Sequence, residues 1–202
     1  DQDKHFAIYT KSVSGGNYSL RINLNGSANR FQLTGTPFTA GKWHNLVMTF
    51  NAGTLNFYID GSSASYSVYS GSIPSSLADN TGTLDIGRYS TLYWDGKLSN
   101  VAIWDTDQSA NKDNIYNNGT PQISYTVTPT VWYELNAATS SYDFSTSTWT
   151  ITDSAGSNNG TSTTLPSTAL VSSDLQFESP YSNFSLDFNG TDNYIDLSLI
   201  HI

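Results

Sequence analysis

Apolar and polar residues alternate with a period of two through Gly41–Phe50 and again through Thr54–Ile59, separated by Asn51-Ala52-Gly53. That period turns one side of a strand toward a core and the other toward water. The second run ends on Asp60-Gly61, a dipeptide suited to the positive φ angles of a tight hairpin turn. The pattern predicts an antiparallel meander with one buried and one wet face. Further strands are expected at Phe6–Tyr9, Tyr18–Leu24, Arg30–Leu33, His44–Phe50, Leu55–Asp60, Ala64–Tyr69, Thr83–Gly87 and Lys97–Trp104. The breaks carry Gly15-Gly16, Asn25-Gly26, Gly35, Pro37, Gly61 and Gly82. Short strands punctuated in this way predict a sandwich or barrel.

One short helix is expected near 109–117, with Asp107 or Ser109 as cap and Asn118-Gly119 as a left-handed stop. Residues 121–130 read as a linker. A second segment, 131–196, opens with Val131–Leu135 and closes on a hairpin around Asn189-Gly190. Between them, the Ser- and Thr-rich stretch 140–173 reads largely as surface loop.

Composition narrows the chemistry. The chain has 202 residues, 12% of them charged, and no cysteine. Disulfides and thiolate metal sites are therefore excluded. Calcium, bound through oxygen, is the metal that such a chain could use. A net charge of −9 disfavours nucleic acid and anionic membranes as partners. No apolar run approaches the roughly 20 residues of a membrane span.

Several motifs now resemble one family in order and spacing. Trp43-His44 opens the central hairpin, and Tyr58-Ile59-Asp60-Gly61 closes it. Ile86-Gly87-Arg88 ends a strand, Trp94-Asp95-Gly96-Lys97-Leu98 leads into the next, and Tyr116–Gly119 ends a closing helix. Together these resemble laminin-G-like, concanavalin A-like lectin/glucanase domains over most of residues 1–120. The resemblance implies an all-β fold, an antiparallel two-sheet jelly-roll β-sandwich. Trp132–Leu135, Asp153–Gly156 with Asn159–Thr161, and Ser185–Gly190 are similar to the front of the same family. The expected organisation is thus the back of one repeat (1–120), a linker (121–130) and the front of the next (131–196). The two pieces are expected to complete one circularly permuted sandwich. Residues 197–202 resemble the translation of a sequencing adapter and are set aside.

For such a domain the resemblance implies a non-catalytic extracellular binding or adhesion module at a cell or virion surface. Its partners would be glycans or a surface glycoprotein, beside neighbouring repeats of the parent protein. The local candidates are Tyr89, Tyr93, Trp94 and Asp95, an aromatic loop with a carboxylate, together with Tyr69. Packing of Tyr93 and Trp94 under the last strand competes with that role. Calcium is considered at Asp95 and at Asp192-Asn193, although turn chemistry explains the same residues. A purely structural repeat is the alternative. A laminarinase-like hydrolase is disfavoured: paired carboxylates are needed, and the only glutamates, Glu134 and Glu178, stand far apart. His44 is expected to pack beside Trp43.

Overall fold

The computed structural model describes residues 6–12, 17–35, 38–78, 83–172 and 184–197. Gly15-Gly16, Pro37, Gly82, Glu178 and residues 198–202 lie outside them. The chain divides into two compact units, Asp1–Gly82 with Thr106–Thr120, and Thr83–Asp105 with Pro121–Ile202.

The first unit contains β1 (Phe6–Ser12), β2 (Asn17–Leu24), β3 (Asn29–Leu33), β4 (Phe38–Thr39), β5 (Leu46–Asn51), β6 (Thr54–Ile59), β7 (Ser62–Ala64) and β8 (Tyr66–Ser70). One antiparallel sheet runs β1-β2-β3-β8 with β4 beside β2, and a second runs β5-β6-β7. Leu20, Ile22, Leu24, Phe31 and Leu33 from the first sheet meet Leu55, Phe57 and Ile59 from the second in one buried cluster. Each set alternates along its strand, as the sequence pattern requires. Tyr66 closes this core edge-on against Phe31 and Phe57.

Both hairpin turns take left-handed backbone where expected, at Ala52-Gly53 and Asp60-Gly61. The strand expected over Ala64–Tyr69 is instead two strands in different sheets. At the corner between them, the Ser65 carbonyl accepts the Thr34 N–H and hydroxyl at 2.9 and 3.1 Å. The expected helix is a 3₁₀ turn at Ser109–Asn111 followed by α1 (Lys112–Tyr116). Asp107 receives the Ser109 N–H at 2.9 Å, and Asn117, Asn118 and Gly119 end the helix at positive φ.

The second unit contains β9 (Leu84–Ile86), β10 (Arg88–Tyr89), β11 (Leu92–Tyr93), β12 (Asp95–Leu98), β13 (Val101–Ile103), β14 (Val131–Tyr133), β15 (Ser140–Asp143), β16 (Thr148–Ile151), β17 (Gly160–Ser162), β18 (Leu170–Ser172), β19 (Phe184–Asn189) and β20 (Ile195–Leu197). Its sheets run β15-β16-β17-β20-β9 and β12-β19-β18, with β10–β11 and β13–β14 as separate pairs. A second buried cluster joins Ile86, Val131, Tyr133, Leu135, Trp149, Ile151, Leu186, Phe188, Ile195 and Leu197. The molecule is therefore all-β with one short helix, of the antiparallel sandwich class expected.

Three expectations are corrected here. The stretch 140–173 holds four strands, because Trp149 and Ile151 alternate inward among threonines that suit a pleated surface. Leu197, set aside with the terminal hexapeptide, is fully buried and pairs with Leu84. Lys97–Trp104 is two strands, because Asn100 takes φ 59°. There its side chain donates to the Gln122 carbonyl at 3.0 Å and accepts the Trp132 indole N–H. Residues 121–130 are irregular yet anchored. Tyr125 meets Trp104 and Trp132 edge-on, and the Trp104 indole N–H reaches the Val127 carbonyl at 2.8 Å.

Candidate functional site

The Ile86-Gly87-Arg88 step is built around a glycine that nothing else could replace. Gly87 sits at φ +91°, and a β-carbon there would lie 2.4 Å from the Phe188 ring. The chain then turns through Ser90, at φ 57°, so that β10 and β11 pair as Arg88 with Tyr93 and Tyr89 with Leu92. Paired residues share a face. Arg88 and Tyr93 therefore lie on one side of this hairpin, and Tyr89 and the exposed Leu92 on the other.

Arg88 is held firmly. Its Nε and Nη2 donate to Asp85 Oδ2 at 3.2 and 3.1 Å, and its Cζ stands 3.6 Å from the centre of the Tyr194 ring. Burial alone would lower the Arg88 pKa, but the charge and hydrogen bond of Asp85, helped by Tyr194, raise it above its usual value. The arrangement is a fixed cation lying on an aromatic face.

Pairing of β12 with β19 sets Asp95 opposite Asn189 and brings the 189–194 turn to the same rim. The Gly190 N–H donates to the Trp94 carbonyl at 2.7 Å, and the Trp94 N–H to the Gly87 carbonyl at 2.8 Å. Asp95 and Asp192 are both exposed on this rim. Trp94 packs partly buried against the core.

The turn is tied by its own side chains. Asn189 Oδ1 accepts the N–H groups of Thr191, Asp192 and Asn193 at 3.0–3.3 Å. Asp192 Oδ1 accepts the Asn189 and Asn193 amides at 2.7 and 3.2 Å. Asn193 is 2% exposed. Its Oδ1 accepts the Asn189 N–H at 3.3 Å, and its amide also reaches the Thr164 carbonyl. Calcium needs six to eight oxygens. The donors gathered here do not fit it, since Asn193 is spent on the turn and Asp192 is partly spent. No group of three or more His, Asp or Glu that could hold a metal occurs among the described residues.

The remaining candidates are dispersed. Tyr69 lies in the other unit, 57% exposed, with Arg21 Cζ 4.3 Å above its ring centre. His44 does not pack simply beside Trp43. Its Nδ1 lies 2.8 Å from Asp60 Oδ2, while its Nε2 accepts the Thr39 N–H at 3.2 Å. The second contact fixes the proton on Nδ1, so His44 latches the hairpin and Asp60 also caps the Asn45 N–H at 2.8 Å. Glu134 accepts Asn136 Nδ2 at 2.8 Å and the Ser154 hydroxyl at 2.7 Å. Arg88 and Tyr194 escaped sequence reasoning as site residues. The signal was present in Arg88, one of three cations after residue 59.

No match is found among curated proteins, and none among solved structures. The family model described as the concanavalin A-like lectin/glucanases superfamily matches residues 1–112. That is more than half of the chain and covers the hairpin latch, the Ile86-Gly87-Arg88 step and the start of the closing helix. The chain therefore belongs to the concanavalin A-like lectin/glucanase superfamily.

Proposed function

We propose that this protein is a non-catalytic, extracellular glycan-binding module that works as one unit of a tandem array on a cell or virion surface. The observation that carries this reading is the rim where Arg88 lies on Tyr194 beside Tyr93, with Asp95 and Asp192 exposed nearby. Sugar recognition uses an aromatic surface with a few convergent polar groups held by a rigid scaffold. Here two short strands and a self-bonded turn supply the scaffold. Family-like motifs in residues 131–196 support the array. Weak single sites in an array gain from multivalency.

The test is a glycan microarray probed with fluorescent wild-type protein in multivalent form. Retention on a defined glycan class is expected, with loss in Tyr93→Ala and weakening in Asp95→Asn. Uniform background for wild type, or identical profiles for the variants, would overturn the rim as the site. Incubation with laminarin is expected to release no reducing ends, and release would overturn the non-catalytic reading.

A further inference from the structure

Asn-Gly steps begin at Asn25, Asn118, Asn159 and Asn189. In this dipeptide an asparagine side chain is open to attack by the backbone nitrogen that follows it, because glycine places no β-carbon beside that nitrogen. Ring closure needs the nitrogen and the side-chain carbonyl carbon to approach each other in line. Hydrogen bonds that hold the side chain, or that commit the glycine, oppose it.

At Asn25, Asn159 and Asn189 such bonds are in place. Asn25 Oδ1 accepts the Ala78 N–H at 2.7 Å, and its Nδ2 donates to the Ser76 carbonyl at 2.9 Å. Asn159 Oδ1 accepts the Asp153 N–H at 3.0 Å, and Gly160 is buried in β17, paired with Ile151 and Leu197. Asn189 spends Oδ1 on the 191–193 N–H groups and Nδ2 on Asp192, while the Gly190 N–H is committed to Trp94. Each of these side chains must give up bonds before it can bend back on the chain.

Asn118 differs. It and Gly119 are both exposed, and its side chain makes no hydrogen bond among the described residues. Its backbone is left-handed, at φ 54° and ψ 32°. That region is costly for a residue with a β-carbon, so leaving it to reach the cyclising geometry recovers the cost. The bonds around it belong to its neighbours. The Asn117 N–H reaches the Asp113 carbonyl, Asn117 Nδ2 the Thr120 carbonyl at 3.1 Å, and the Thr120 N–H the Asn117 carbonyl at 3.0 Å. They close a helix of five residues, and bonds at such an end open at little cost.

We infer that Asn118 is a site of spontaneous deamidation in the folded protein, while the fold protects the other Asn-Gly steps. The Gly119 backbone nitrogen adds to Asn118 Cγ and loses its proton, and ammonia leaves, which forms a cyclic imide. Water then adds to either imide carbonyl, and the ring opens to aspartate or isoaspartate. Either product puts a new carboxylate at the C-terminal end of α1, where the helix carbonyls already concentrate negative charge. Isoaspartate also adds a carbon to the main chain just after Tyr116, whose ring lies against the Gly61 turn. The modification therefore weakens the joint between α1 and the β5–β6 hairpin. It goes beyond the rim reading and shares no residue with it.

The test is incubation of the full chain at mildly alkaline pH, once folded and once in urea. Peptides are then mapped by mass spectrometry, and isoaspartate is counted with an isoaspartate-specific methyltransferase. In the folded protein, conversion at Asn118 is expected to outpace that at Asn25, Asn159 and Asn189 about tenfold, the weight of one or two hydrogen bonds. In urea the rates at these positions are expected to converge, since each is followed by glycine. Asn118→Gln, whose longer side chain cyclises poorly, is expected to remove most of the methyltransferase signal from the folded chain. Equal rates at the Asn-Gly steps of the folded protein, faster conversion at another of them, an unchanged spread of rates in urea, or an undiminished signal in Asn118→Gln would overturn the proposal.

Discussion

Gly61 follows the Tyr58-Ile59-Asp60 step at φ +78°, where a β-carbon would lie 2.6 Å from the Tyr116 ring. Gly35 has nearly the same angle, φ +75°, with nothing within 4 Å. Left-handed backbone costs a residue with a β-carbon about 1–2 kcal/mol. Gly35→Ala should therefore lose about that much in urea unfolding, and Gly61→Ala clearly more, because the ring must also move. Equal losses would show that Tyr116 does not rest on the turn. The turn residues were legible in the sequence, but the His44–Asp60 latch was not, because it joins positions 16 apart across a hairpin. Tyr133 carries a pH prediction of its own. Burial first, then the charge of Asp153, raises its pKa above the ordinary tyrosine value of about 10. The unfolded chain thus loses this proton before the folded one does. The stability it contributes is complete below about pH 10 and is lost as pH rises beyond it. Urea midpoints should fall through that alkaline range, and Tyr133→Phe should fall less steeply. Tyr125, raised in the same direction by burial and then Glu134, leaves part of the decline in place.

Among the elements that sequence reasoning misjudged, β16, read as loop, and Leu197 of β20, set aside, are the most informative. Alternation in β16 rests on Trp149 and Ile151 alone, with hydroxyl residues on either side that also populate loops. Its strand character comes from pairing on both sides, with β15 and with β17. Trp149→Ala should cost about 3–5 kcal/mol, as for a core aromatic. In a loose surface loop the cost would be near zero. Leu197→Ala should cost about 2–5 kcal/mol for the same reason, since that side chain is fully buried. A change under half a kilocalorie, roughly the surface-substitution range, would show that the segment hangs free. By contrast, β5 and β6 were legible nearly residue for residue. Their alternation is dense, and Asn51-Ala52-Gly53 fixes the register locally. The rim illustrates the middle case. Tyr93 and Asp95 were visible as an aromatic loop with a carboxylate, while Tyr194 arrives only through the pairing of β12 with β19.

At the scale of the whole molecule, the second buried cluster gathers segments that are not consecutive, joining Ile86 to residues between Val131 and Leu197. Residues 83–105 supply β9 to β13 to the second unit, and residues 106–120 return to the first. Removing residues 126–202 would take away β14, β19 and β20, the partners of β13, β12 and β9. The remainder should then bind a hydrophobic dye strongly, because Ile86, Trp94, Leu98 and Ile103 lose the core they pack in. A truncated chain without dye binding, and with unchanged unfolding of the first unit, would show that those strands need no partner.

The same interleaving has a temporal side. A ribosome releases the chain from its N-terminus at about 5–20 residues per second. The first unit cannot finish until α1 emerges at Lys112–Tyr116, by which time β9 to β13 are already in solution without β14, β19 and β20. For several seconds the nascent chain carries three strands, β9, β12 and β13, whose partners have not yet been synthesised. Slow translation across residues 121–197 therefore prolongs the exposure of unpaired edges, and the yield of soluble protein should depend on codon choice there more than across residues 1–80.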